Sequence, residues 1–211
     1  MSWYIWIVAV VAYVIFAVWY FNWKGPLTAD EIDLYIADMA KHSSQSPTDP
    51  EIVRQFLEAD DGKEFVMLNL VRIHEGGVSH PETGEMTTAP EILQGYFGPF
   101  SKALFRKAGH PVYMGRKKGG HIDSWNSAID EGFQLVGAMR YRSRRDMMAL
   151  VSDPRFSDSH KFKLAAIDGT ISFPMQLRMS TYLRPKIWVP LLLLLLASLG
   201  QNLLFLFELR K

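Results

Sequence analysis

Apolar positions run unbroken at both ends of the chain and are patterned in between, so the sequence divides into three before any single residue is considered. The first run, WYIWIVAVVAYVIFAVWYFNW from Trp3 to Trp23, is apolar almost throughout. The last, in IWVPLLLLLLASLGQNLLFLFELRK, extends from Ile187 to Phe207 without a charge. A helix rises about 1.5 Å per residue and a bilayer's hydrocarbon core is about 30 Å thick, so each run is long enough to cross. The expectation is one transmembrane helix in residues 1–24 and a second in residues 185–209. Trp3, Tyr4 and Trp6 open the first run, Trp19, Tyr20 and Trp23 close it, and Trp188 stands at the start of the second. Such rings gather where a membrane meets water. A cleaved signal peptide fits less well. No basic segment precedes the apolar run, and NWKGP after it lacks a small-residue cleavage site. Gln201 and Asn202 are the strongly polar residues of the second run. Neighbours on a helix point about 100° apart, so one polar patch cannot serve both, and the pair is expected to meet a partner helix.

Between the runs the period changes. Residues 25–62 read as a helical lead-in: TADEIDLYIADMAKH sets Ile32, Tyr35, Ile36 and Met39 on one face behind a Thr28 or Asp30 cap. The loop SSQSPTDP brings a second cap before EIVRQFLEA, and DDGK breaks the chain. Residues 63–180 begin with EFVMLNLVRI, short and nearly continuously apolar, which predicts a buried strand rather than a third span. HEGGVSHPETGE reads as a loop and APEILQGYFGPFSKALFRKAG as a helix ended by Gly109. HPVYMGRKKGG and GFQLVGAMRYR read as strands joined by HIDSWNSAIDE. SRRDMMALVSDPRFSDSHKFKLAAID is a helix capped by Ser143 and interrupted at Asp153-Pro154, and GTISFPMQ is a closing strand. The order β-α-β-β-α-β predicts an α+β, ferredoxin-like domain with an antiparallel sheet, set between the two terminal helices.

Three stretches resemble the dimeric α+β barrel superfamily: FLEADDGKEFVMLNLV, the Tyr96 to Gly109 helix running into VYMGRKKGG, and MRYRSRRDMMALVSDPRFSDSHKFKLAAIDGTISFP. That superfamily includes EthD-like proteins and antibiotic-biosynthesis-type monooxygenases, and the nearest likeness is to its small bacterial domains of unknown function. The resemblance spans roughly residues 55–176 and implies a homodimer formed by pairing sheets. Family members differ in chemistry, so it implies no particular activity. Two flanking apolar runs depart from the family's soluble pattern.

Charge changes the picture in two respects. Lys and Arg number 23 against 22 Asp and Glu, which gives no reason to expect a nucleic-acid partner. Lys24, Arg178, Arg184 and Lys186 lie on the domain side of the runs, against Arg210, Lys211 and nearby Glu208 on the other. Basic flanks favour the cytoplasm, so the domain is expected there, with both termini outside a bacterial inner membrane. The chain has no cysteine, which excludes disulfides, thiol nucleophiles and thiolate metal sites.

The six histidines form no compact ligand spacing: His42 lies in the lead-in, His74 and His80 flank a loop, His110 and His121 bracket a strand, and His160 is on a helix. No metal and no cofactor is indicated. If an apolar cleft binds a substrate, Asn69, Tyr96, Tyr113, His121 and Trp125 are the candidates to line it, with His110 beside them. Asn69 is the most telling, because an amide in an apolar strand must find hydrogen bonds or cost on the order of a few kcal/mol. Arg140, Arg142, Arg144 and Arg145 are candidates for anionic headgroups, or alternatively for salt bridges with Asp146 and Asp153. There is no phosphate-binding glycine loop and no Ser-His-Asp order. The expected function is a membrane-anchored accessory subunit that docks on integral membrane subunits. The alternative is a membrane-tethered monooxygenase-like or isomerase-like enzyme acting on a hydrophobic substrate.

Overall fold

The computed structural model describes residues 3–42, 49–126, 131–153, 158–178 and 185–209. Pro154, Arg184, Arg210 and Lys211, used above, lie outside the described residues. Helix α1 (Trp3–Tyr20) leads to α2 (Ala29–His42) and α3 (Pro50–Glu58). Strand β1 (Phe65–Ile73) and a small hairpin, β2 (Gly77–Ser79) with β3 (Met86–Thr88), precede α4 (Ala89–Arg106). Then come β4 (His110–Arg116), β5 (Leu135–Tyr141), α5 (Arg144–Val151), α6 (His160–Ala166), β6 (Ile167–Met175) and α7 (Pro185–Leu209). The main sheet has four antiparallel strands in the order β4-β5-β1-β6. With its helices it is the ferredoxin-like arrangement the element order predicts. The β2–β3 hairpin lies inside the stretch read as a loop and its immediate sequel.

Local chemistry explains where these elements start. Thr28 and Glu31 exchange bonds between side chain and backbone ahead of α2, choosing between the two expected caps. Asp49 caps α3 and Ser143 caps α5. At the end of α4 the left-handed residue is Ala108, not Gly109. Gly109 is required for a different reason: a Cβ there would lie 2.3 Å from Leu104 Cδ1 and 2.8 Å from the Arg140 carbonyl oxygen. The interruption expected near Asp153 is present, since α5 ends at Val151 and α6 begins at His160.

The chain forms two compact units, one of residues 24–176 and one of the two terminal segments. The lead-in expected as a separate segment belongs to the middle unit. Ile32, Leu57 and Met148 form a buried cluster that fastens α2 and α3 to α5. Polar bonds lock the same corner. Asp60 accepts from the Leu27 N–H at 2.9 Å and pairs with Arg144 at 3.5 Å. Asp61 accepts from the Gln176 amide at 2.7 Å, and Arg145 donates to the Gly25 and Pro26 carbonyls. Gly62, at φ +72°, lies so close to Pro26 that a Cβ would meet its nitrogen at 2.9 Å. The first and last residues of the unit are thus clasped by DDGK, a stretch that reads in sequence only as a breaker.

In the terminal unit α1 and α7 pack together. Ala197 of α7 is buried, and a Cβ at Gly200 would rest 3.7 Å from Ile5. Both helices are long and apolar enough to cross a membrane by length and composition.

Candidate functional site

The two faces of the sheet differ. Phe65, Met67, Met139 and Tyr141 point to the helices and build one cluster with Phe100, Leu104 and Leu150. Ala89, Ile92, Leu93 and Ala166 form a second, against which Ile73 packs. Tyr96 on α4 touches both clusters. The capping box of Thr88 and Glu91 fixes the start of α4, and Gly95 lets α6 come close, since a Cβ there would sit 2.9 Å from the Phe162 ring.

On α6, His160 and Lys163 are one turn apart and so share a face. Both meet Tyr96. The His160 ring lies 6.0 Å from the Tyr96 ring at 25°, and Lys163 Nζ lies 5.7 Å from the Tyr96 centroid. Tyr96 is itself stacked on Phe100 at 5.4 Å. Burial, and then the nearby Tyr141, push the Tyr96 hydroxyl up, so it stays protonated. Burial and then the Lys163 charge lower His160, which leaves it neutral at pH 7. Burial lowers Lys163 too. Among the described residues no carboxylate pairs with Lys163; its neighbour Lys161 pairs with Glu82 at 2.7 Å. The arrangement is a half-buried ammonium over an aromatic face, with an imidazole beside it.

The expected cleft residues are separated by the fold. Asn69 does lie in the helix-facing row of β1, half-buried, but its amide is spent. It donates to the Met67 and Gly137 carbonyls at 3.1 and 3.3 Å and accepts from Ser172 Oγ at 2.7 Å. Tyr113 pairs with Ala138 and points to the opposite face. His121 and Trp125 are exposed in the segment after β4, Trp125 to 85%. His110 stands opposite Arg140 and is lowered chiefly by burial. Among the described residues no three His, Asp or Glu converge in a metal-binding group. Sequence reasoning missed Lys163 and Ser172; the helical spacing of His160 and Lys163 was the available signal.

Each of the four arginines named as headgroup candidates has a partner inside the middle unit. Arg140 is 4% exposed, pairs with Glu64 at 2.8 Å and donates to the Ala108 carbonyl. Arg142 pairs with Asp146 at 2.7 Å, as the salt-bridge reading expects. Arg144 lies over the Phe56 ring and Arg145 pairs with Glu31 at 2.7 Å. Of the rings expected at the membrane interface, Tyr20 is buried against Phe16 and Phe21, while Trp3, Tyr4, Trp6, Trp23 and Trp188 are exposed.

The other face of the sheet is buried at one end, at Val66, Ala138 and Arg140, and more open toward its edges. Leu68, Leu70 and Val136 form its centre, flanked by Tyr113 on β4 and by Ile171 and Phe173 on β6. These last three are each just over 40% exposed.

No protein-family model matches the chain, and no curated protein matches it by sequence. Solved structures do. RPA0582, a protein of unknown function from Rhodopseudomonas palustris, is 22% identical, with a TM-score of 0.52 over 64% of this chain and 98% of that one. Its methylated form gives 23% identity and a TM-score of 0.53 over 64% and 95%. SnoaB, a cofactor-independent oxygenase from Streptomyces nogalater, is 12% identical over 57% of this chain and 98% of that one. Its TM-score of 0.37 is too low for the likeness to bear on function here. The likeness to RPA0582 shows the α+β, ferredoxin-like fold.

Proposed function

We propose that the chain is a membrane-anchored interaction subunit, whose middle unit dimerises through the helix-free face of its sheet. The observation that carries this is the apolar face of Leu68, Leu70, Tyr113, Val136, Ile171 and Phe173. Contiguous exposed apolar surface of this kind marks an interaction site more often than a solvated face. The two apolar helices serve as anchors. Asn202 is exposed on α7 and Gln201 half-buried beside Gly200, and both amides help orient the helix against integral membrane partners. The spent amide of Asn69, the opposite orientation of Tyr113 and the exposure of His121 support this reading over an enzyme with a cleft built from them. The cluster of Tyr96, His160 and Lys163 is the observation that favours the second reading, an enzyme acting on a hydrophobic substrate.

The test is the mass of the full chain in detergent, with the protein alone and with I171D/F173D, both on β6. The expected result is a dimer for the native chain and a monomer for the variant, with unchanged circular dichroism. A native monomer, or a dimer that survives the double substitution, overturns the proposal.

A further inference from the structure

The chain holds a second basic block, YMGRKK, whose cations are not taken up as those of RYRSRR are. It ends β4, where the Lys117 N–H donates to the Gln134 carbonyl at 2.8 Å and closes the base of a loop. Beyond that bond every residue from 118 to 126 is exposed. Gly119 and Gly120 lie in open space, since a Cβ at either would meet nothing within 4 Å.

Two large apolar side chains stand on this segment: Ile122 is fully exposed and Trp125 nearly so. Leaving such surface in water forgoes the transfer free energy of its burial. The charges beside them narrow what covers them. Arg116 and Lys118 pair with no acid among the described residues, and Asp123 is the one acid between positions 116 and 126. Lysine is depleted where proteins meet, so a protein partner is the poorer fit. A bilayer surface takes all four side chains. Tryptophan settles at headgroup depth, isoleucine reaches the acyl boundary, and the cations meet anionic headgroups.

We infer that the segment after β4 is a membrane-contact surface, with Ile122 and Trp125 entering an anionic bilayer and Arg116 and Lys118 held on its headgroups. This rests on the reading that α1 and α7 anchor the chain, and it does not depend on the sheet-face dimer.

The chain has no cysteine, so Ile122→Cys provides a single site for an environment-sensitive fluorophore. Ile52→Cys, at an exposed position of α3, carries the same dye and controls for the dye's own affinity for lipid. Each labelled full chain is placed in nanodiscs of phosphatidylcholine, alone or with an equal part of phosphatidylserine. Brominated lipid quenches a dye in contact with acyl chains, and acrylamide quenches one in contact with water. At position 122 phosphatidylserine is expected to strengthen lipid quenching and suppress acrylamide quenching, and at position 52 to change neither. Arg116→Gln and Lys118→Gln should each lower the ratio of inserted to free segment by about fivefold, with circular dichroism unchanged. Raised salt should act in the same direction.

A dye at position 122 as open to acrylamide as the one at position 52, in the mixed nanodiscs, overturns the inference. So does lipid quenching that responds neither to phosphatidylserine nor to the two substitutions. Shielding from acrylamide without lipid quenching also overturns it, because a protein would then cover the segment. A chain that does not enter nanodiscs sinks the anchoring reading and the inference with it, whereas the other outcomes leave anchoring intact.

Discussion

Single residues in this protein are decided by whether their polar groups find partners inside. Asn69 shows how far sequence carries: an amide in MLNLV had to be satisfied, and it is. Which groups satisfy it was not legible, because Gly137 and Ser172 reach it through strand pairing across the whole unit. The arginines show the reverse. RYRSRR reads as a solvated basic block, and only the fold brings Glu64, Asp60 and Glu31 to its members. Glu31 gives a pH prediction. Its carboxyl falls from 4.5 to about 2, first because Arg145 donates to it and then because the Thr28 N–H does. A folded value below the unfolded one means the contribution to stability is complete above pH 4.5 and is lost as pH falls toward 2. Amide exchange in α2, corrected for its intrinsic rate, should therefore speed up across that interval. Glu31→Gln should abolish the step; a step that persists in the variant would place its origin elsewhere.

Elements were legible where periodicity and caps agree. Ser143 and the continuous apolar run of β1 each announce themselves in a few residues. The end of α4 before Gly109 was legible but its chemistry was not: Gly109 is there for close approach, and Ala108 takes the left-handed turn. Substituting Gly109→Ala should destabilise the middle unit by about 1–3 kcal/mol, the usual cost of overpacking. Chemical denaturation followed by tyrosine fluorescence or circular dichroism checks it, and a change under about 0.5 kcal/mol would mean Leu104 yields without cost. The hairpin β2–β3 was illegible because three-residue strands are too short to establish a period.

At the scale of the whole molecule, the apolar runs set the expectation that the chain stays with the membrane through carbonate extraction. Appearance in the soluble fraction would instead make α1 and α7 core helices of a soluble assembly. The candidate site was the least legible part, since His160 and Lys163 acquire meaning only when α6 is laid against Tyr96. The clasp formed by Asp60, Asp61 and Gly62 reaches further than its own hydrogen bonds. It holds Gly25 to Leu27 and Gln176 together, so the intervening sequence behaves as a tied-off insertion rather than a long tether. Each halving of a flexible loop lowers its closure cost by about 0.6 kcal/mol, and shortening from roughly 150 residues to roughly 10 is about four halvings. The knot thus makes α1 and α7 near neighbours in entropic terms, favouring their pairing by about 2 kcal/mol before either helix touches the other.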